Sequence, residues 1–165
     1  MSIQTLDKLL ICHIDCSIWS GRKKLRPEDF RLANGSQLPP KDVASLGSKK
    51  ICDPEALANF ERLKKEAQRL CEQVGVWFLD GYAVPEDRID QIVPELDRIG
   101  QEFAQCKQLF LDNYDQVTFD WVAKHPEFAD AIRRALSPIE DVEQRLQFDY
   151  AIYRMQPAEQ GGGLD

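Results

Sequence analysis

Two long apolar seams constrain this chain more than any other feature. Starting at Ala56, the residues Phe60, Leu63, Ala67, Leu70 and Val74 follow at steps of 4, 3, 4, 3 and 4. Starting at Ile89, the residues Ile92, Leu96, Ile99, Phe103, Cys106, Phe110, Tyr114, Val117 and Trp121 follow at steps of 3 or 4, with one stutter at 110–114. Such spacing predicts two amphipathic helices, each with an apolar stripe that must be covered. Asp53-Pro54 fits an N-cap followed by proline at the first helical position, and Gly75 fits a C-cap glycine. Pro94 predicts a kink or restart in the second helix, and Pro126 its end. At 1.5 Å per residue, 94–124 reaches about 45 Å.

The two helices are joined by "VWFLDGYAVPED", which reads as a β-hairpin turning at Asp80-Gly81. A connection this short predicts antiparallel helices. Residues 9–19 alternate, with Leu10, Cys12, Ile14, Cys16 and Ile18 on one face, as in a half-buried strand. "FDYAIYRM", 148–155, alternates in the same way. Short helices are predicted at 127–136 and 138–146, the second opened by a capping box on Ser137 and Glu140. "ANGSQLPP" reads as a loop, and "KDVASLG" as one helical turn closed by Gly47. Isolated strands are marginal, so the three strand regions are expected to share one sheet, with Trp77, Phe78, Tyr82, Phe148, Tyr150 and Tyr153 in its core. The expected fold is α+β and helix-dominated: a long antiparallel helical hairpin over about 54–124, with a small antiparallel β-sheet at one end. Residues 1–156 read as a single domain. Residues 157–165, "PAEQGGGLD", read as a flexible tail where a longer protein continues.

Composition removes several function classes. No apolar run reaches the ~18 residues that a membrane-spanning helix needs. The start lacks a basic leader, and the five cysteines are scattered, so reduced thiols and a cytoplasmic location are expected. Cys12, His13 and Cys16 are the one hint of a metal site. His13 points off the cysteine face, no CxxC pair exists, and no metal or cofactor is expected. Two histidines supply no Ser-His-Asp set, and the acid pairs fit solvated helix faces, so the chain reads as a non-enzyme.

Charge is what remains. The chain carries −7 overall, yet residues 21–50 hold eight basic against three acidic residues, while 80–165 hold eight against eighteen. The excess centres on Gly21-Arg22-Lys23-Lys24 after the first strand and Gly47-Ser48-Lys49-Lys50 before the first helix. The frame is wrong for a phosphate-binding P-loop. Arg22, Lys23, Lys24, Lys49 and Lys50 are therefore candidates to meet an acidic protein surface. The alternative is nucleic acid, DNA or RNA, with Trp19 exposed beside the cluster as a stacking platform. Either seam can also pair between chains, which leaves a homo-oligomer open.

Three strings carry a resemblance: "GRKKL" after the first strand, "LPPKDVASLGSKKICDPEALANFERLKKEAQRLCEQVGVWFLDGYAVPED", and the late "RLQFDYAIYRM". In this order they resemble the bacterial family called domain of unknown function 3150, over nearly the whole chain. The resemblance implies a setting, not a chemistry. Such proteins occur on integrative and conjugative elements, plasmids and phage-like DNA. They are encoded near a MoxR/CobS-like AAA+ ATPase and a CobT-like von Willebrand A protein. The family has no established catalytic residues, so none carries over. The implied partners are the ATPase or the von Willebrand A protein.

Overall fold

The first seam forms a helix and the second is split between two. The structure, a computed structural model, describes residues 7–29 and 47–158. The expected loop at 33–40, most of the turn at 41–47 and the tail from 159 lie outside the described residues. In chain order the elements are β1 (Leu9–Ser17), β2 (Arg22–Lys24), β3 (Ser48–Lys50), α1 (Ala58–Val74), β4 (Val76–Phe78), β5 (Gly81–Pro85), α2 (Ile89–Asp112), α3 (Tyr114–Lys124), α4 (Ala129–Ala135), α5 (Ile139–Gln144) and β6 (Gln147–Arg154). The fold is α+β and helix-dominated. Its described residues divide into two compact units, one of 7–17, 60–105 and 147–158, the other of 18–29, 47–59 and 106–146.

In the first unit α1 and the 89–105 part of α2 run antiparallel. The Phe60 and Phe103 rings meet edge-on at 5.0 Å, and Arg62 pairs with Glu102 at 3.8 Å. Arg98 binds Glu66 across the helices and Glu95 and Glu102 along its own helix. These carboxylates hold the guanidinium above its ordinary pKa. Pro94 forfeits the bond to the Asp90 carbonyl, yet α2 runs through it without restarting. The buried stripe of α1 is Phe60, Leu63, Ala67 and Cys71, so its last contact falls on Cys71 and not on Leu70. A straight helix of 3.6 residues per turn drifts off a heptad.

A four-stranded antiparallel sheet, ordered β4-β5-β1-β6, covers this helix pair. Strand β1 pairs with β5 from Leu9↔Pro85 to Cys12↔Tyr82, and with β6 from Leu10↔Arg154 to Ser17↔Gln147. As an inner strand it buries Ile11 as fully as Cys12, so the expected one-sided burial holds only toward Ser17. Cys71 donates its S–H to Cys12 Sγ at 3.8 Å. Phe148 of β6 meets Phe103 at 5.7 Å.

The hairpin turn is Leu79-Asp80, both at positive φ (45° and 62°), one residue earlier than the dipeptide signal implied. Gly81 pairs with Phe78 instead, where a Cβ would sit 2.8 Å from Ile11 Cγ2. Tyr82 is buried, but β4 is a sheet edge. Val76, Trp77 and Leu79 are exposed, and Phe78 is at the border of exposure; on the other edge strand, β6, Tyr153 is exposed as well, so Trp77, Phe78 and Tyr153 are not core residues.

In the second unit the core gathers around Trp19, which is 1% exposed. Its ring lies 6.2 Å from Phe110 and 5.9 Å from Tyr114. Ile51, Cys52, Leu57, Val122, Ile132 and Leu146 are buried in the same unit. The stutter coincides with a break at Asn113, between α2 and α3. Beyond it the buried face is Tyr114, Thr118 and Val122, one residue later than the expected Val117 and Trp121. The expected Asp53 cap forms: its carboxylate accepts from Glu55 N–H at 3.0 Å, with Pro54 next. The capping box on Ser137 does not. Pro138 occupies the cap of α5, and Ser137 Oγ is buried without a hydrogen-bond partner among the described residues. Tyr114 O–H donates to the Ser137 carbonyl at 2.7 Å.

Candidate docking site

The two basic clusters converge as two strands of one ladder. Gly21, at φ +63°, turns the chain into β2, and a Cβ there would press on Leu57 Cδ1 at 3.2 Å and Cys52 Cβ at 3.3 Å. Strand β2 then pairs antiparallel with β3: Arg22↔Lys50, Lys23↔Lys49 and Lys24↔Ser48. Ile51 N–H to the Gly21 carbonyl (2.8 Å) and Leu25 N–H to the Gly47 carbonyl (3.1 Å) close the ladder at its two ends. Trp121 anchors it from α3, donating its indole N–H to the Lys50 carbonyl at 3.0 Å.

This register places like charges directly opposite one another, twice. Opposed like charges destabilise a sheet pair. One of the four cations is neutralised. The Lys49 ammonium lies 2.5 Å from the Asp29 carboxylate, in a pair whose side chains are 13% and 8% exposed. Asp29 also accepts the Arg26 N–H at 2.8 Å. Burial opposes the charge on Asp29, but Lys49 and the Arg26 N–H outweigh it and hold the carboxyl below its usual range. Among the described residues, Arg22, Lys23, Lys24 and Lys50 form no ion pair. Arg22, Lys24 and Lys50 are exposed, and Lys23 is half-buried.

Beside the ladder lies an open groove of about 520 Å³. Its wall carries Lys23, Lys24, Arg26, Lys49 and Arg134 against Glu28 and Asp29. Of the residues expected from sequence, Arg22, Lys23, Lys24, Lys49 and Lys50 thus come together. Trp19 does not join them: β1 stops at Ser17, alternation stops with it, and the indole turns into the core. Sequence reasoning missed Arg134, which α4 supplies from far along the chain. It also missed Asp29 as the counter-ion. The Asp29–Lys49 distance depends on the ladder's register, which no local signal encodes.

The groove is suited to holding an extended anionic segment by charge-assisted hydrogen bonds. No nucleophile and base pair lines it. Among the described residues no cluster of three or more His, Cys, Asp or Glu can hold a metal ion. None of the described helices is long and apolar enough to cross a membrane.

A family model described as "Protein of unknown function (DUF3150)" matches residues 6–164. No curated protein and no solved structure matches the chain significantly.

Proposed function

This chain belongs to the DUF3150 family, and from that premise we propose that it is a non-enzymatic adaptor whose β2–β3 ladder docks an acidic surface of a protein partner. The observation that carries this reading is the like-charge ladder: Arg22 stands opposite Lys50 with neither in an ion pair among the described residues, and Lys23 stands opposite Lys49, which Asp29 already neutralises. Repulsion built into a folded ladder is relieved when carboxylates bind, so part of the binding energy is strain released. The resemblance suggests which protein supplies them: a MoxR-like AAA+ ATPase or a von Willebrand A protein of the same mobile genetic element.

Nucleic acid is the second reading, favoured by the same unpaired cations. It is the weaker of the two. Trp19, the aromatic expected as a stacking platform, is buried and cannot stack on a base. A chain of net charge −7 also repels a long polyanion.

The test is capture of the purified ATPase and von Willebrand A protein by the immobilised chain, with and without nucleotide. Lys24→Glu/Lys50→Glu changes two exposed side chains and is expected to weaken capture at least tenfold, by roughly 1.4 kcal/mol or more. Failure to capture either protein in every nucleotide state counts against these partners. Anisotropy with single- and double-stranded DNA across a salt series decides the alternative, because phosphate contacts lose affinity steeply with salt.

A further inference from the structure

The basic groove is not the only recess beside the ladder. A second, of about 420 Å³, lies in the same unit, and its wall is mostly carbon: Leu25, Trp121, His125, Phe128, Ala131 and Ile132. Phe128 is 54% exposed. The Trp121 N–H is already bound to Lys50, so the ring offers only its apolar surface. The His125 ring packs against that ring at 4.4 Å. Ser48, Lys49 and Lys50 form the polar part of the lining. Asp29 and Lys49 line this recess and the basic groove alike, so the two share a wall.

We infer that the docking segment is a linear peptide that seats one bulky aliphatic or aromatic side chain in this recess and lays flanking carboxylates on Lys24, Lys50 and the groove cations. This inference rests on the docking reading and gives the partner's chemistry. Charge complementarity selects the occupant: an apolar anchor entering past Lys49 and Lys50 is favoured when its neighbours are acidic. A recess of this size holds one large side chain with room for its backbone. Such a buried anchor within a charged rim is the usual source of affinity in peptide docking. A nucleobase fits less well, because the wall is mostly carbon and the indole N–H is spent.

The experiment is panning of a random twelve-residue display library against the full chain. Counter-selection uses Phe128→Ser and, separately, Lys24→Glu/Lys50→Glu. All three side chains are exposed, so the variants are expected to fold, and circular dichroism checks this before panning. The expected winners combine Asp or Glu with a Leu, Ile, Phe or Trp. A synthetic winner is expected to lose at least about tenfold in affinity to each variant. Acidic winners without an apolar residue, indifferent to Phe128→Ser, overturn this inference and leave the docking reading standing. Winners without carboxylates overturn both, whereas no enrichment at all overturns the linear peptide and leaves the docking reading to the capture experiment. A single-stranded DNA dodecamer that binds more tightly than any winner and loses affinity with Phe128→Ser assigns the recess to a base and overturns the peptide.

Discussion

Replacing Trp19 with Ala is expected to cost about 3–5 kcal/mol, the range for emptying a core site of a large aromatic. Trp19 is 1% exposed and lies within 6.2 Å of both Phe110 and Tyr114, measured between ring centroids. Its removal leaves a void that these two rings cannot fill without leaving their own contacts. Domains are stable by only about 5–15 kcal/mol, so the loss is a large share of the total. Urea unfolding of Trp19→Ala measures it. The control is Trp77→Ala. Trp77 is 64% exposed at a sheet edge and touches Tyr82 ring to ring at 5.1 Å, so about 1 kcal/mol or less is expected. A loss below 1 kcal/mol at Trp19, or a larger loss at Trp77, contradicts this assignment of core and surface.

Gly75→Ala is expected to cost about 2–3 kcal/mol, as overpacking against backbone does. A Cβ at Gly75 falls 2.5 Å from the Ala83 carbonyl oxygen and 2.9 Å from Val84 Cγ2. Neither atom can yield easily. Ala83 and Val84 are held in register with Ile11 and Leu10 of β1, and Val84 is fully buried. Gly100→Ala has the opposite sign. There the new Cβ meets Phe148 carbons at 3.6 and 3.7 Å, ordinary contact, inside helix α2. The gain expected is about 0.5–1 kcal/mol from better helix propensity. Chemical denaturation of the two variants side by side checks both signs. A gain at Gly75 contradicts the packing of β5 against the end of α1, and a loss at Gly100 contradicts the room beside Phe148.

Gly75 also shows what the sequence could and could not reveal. A glycine after a seamed helix marks the helix end, and α1 does end there, with Gly75 N–H bonded to the Cys71 carbonyl at 2.8 Å. The reason for glycine is different. Among the described glycines only Gly21 and Gly47 have positive φ, so Gly75 is not a left-handed cap. It is small because β5 passes close by, and a contact between distant segments leaves no local trace. The seams were legible because periodicity is local. Their phase drifted by one residue, to Cys71 in α1 and to Thr118 and Val122 in α3, because a straight helix is not a heptad and the chain breaks at Asn113. The sheet was legible in its membership, since lone strands must pair. It was not legible in its edges, so Trp77 and Phe78 looked like core until β4 proved to be outermost.

The docking site divides in the same way. The lysines announce themselves as runs, but nothing local marks the two runs as paired strands, and their ladder appears only in the structure. That Lys23 faces Lys49, and that Asp29 rather than Glu28 answers Lys49, depends on register. The share of Arg134 depends on where α4 lies within its unit.

Arg22→Glu isolates the claim on which the account rests. If the opposed cations are kept for a ligand, the unbound ladder is under repulsion, and a Glu opposite Lys50 replaces it with an attractive cross-strand pair. The urea midpoint of Arg22→Glu is therefore predicted to rise, by about 0.2–1 kcal/mol in stability, and most at low salt. A fall in the midpoint would show that the cations support the fold rather than await a partner, and would contradict the docking site.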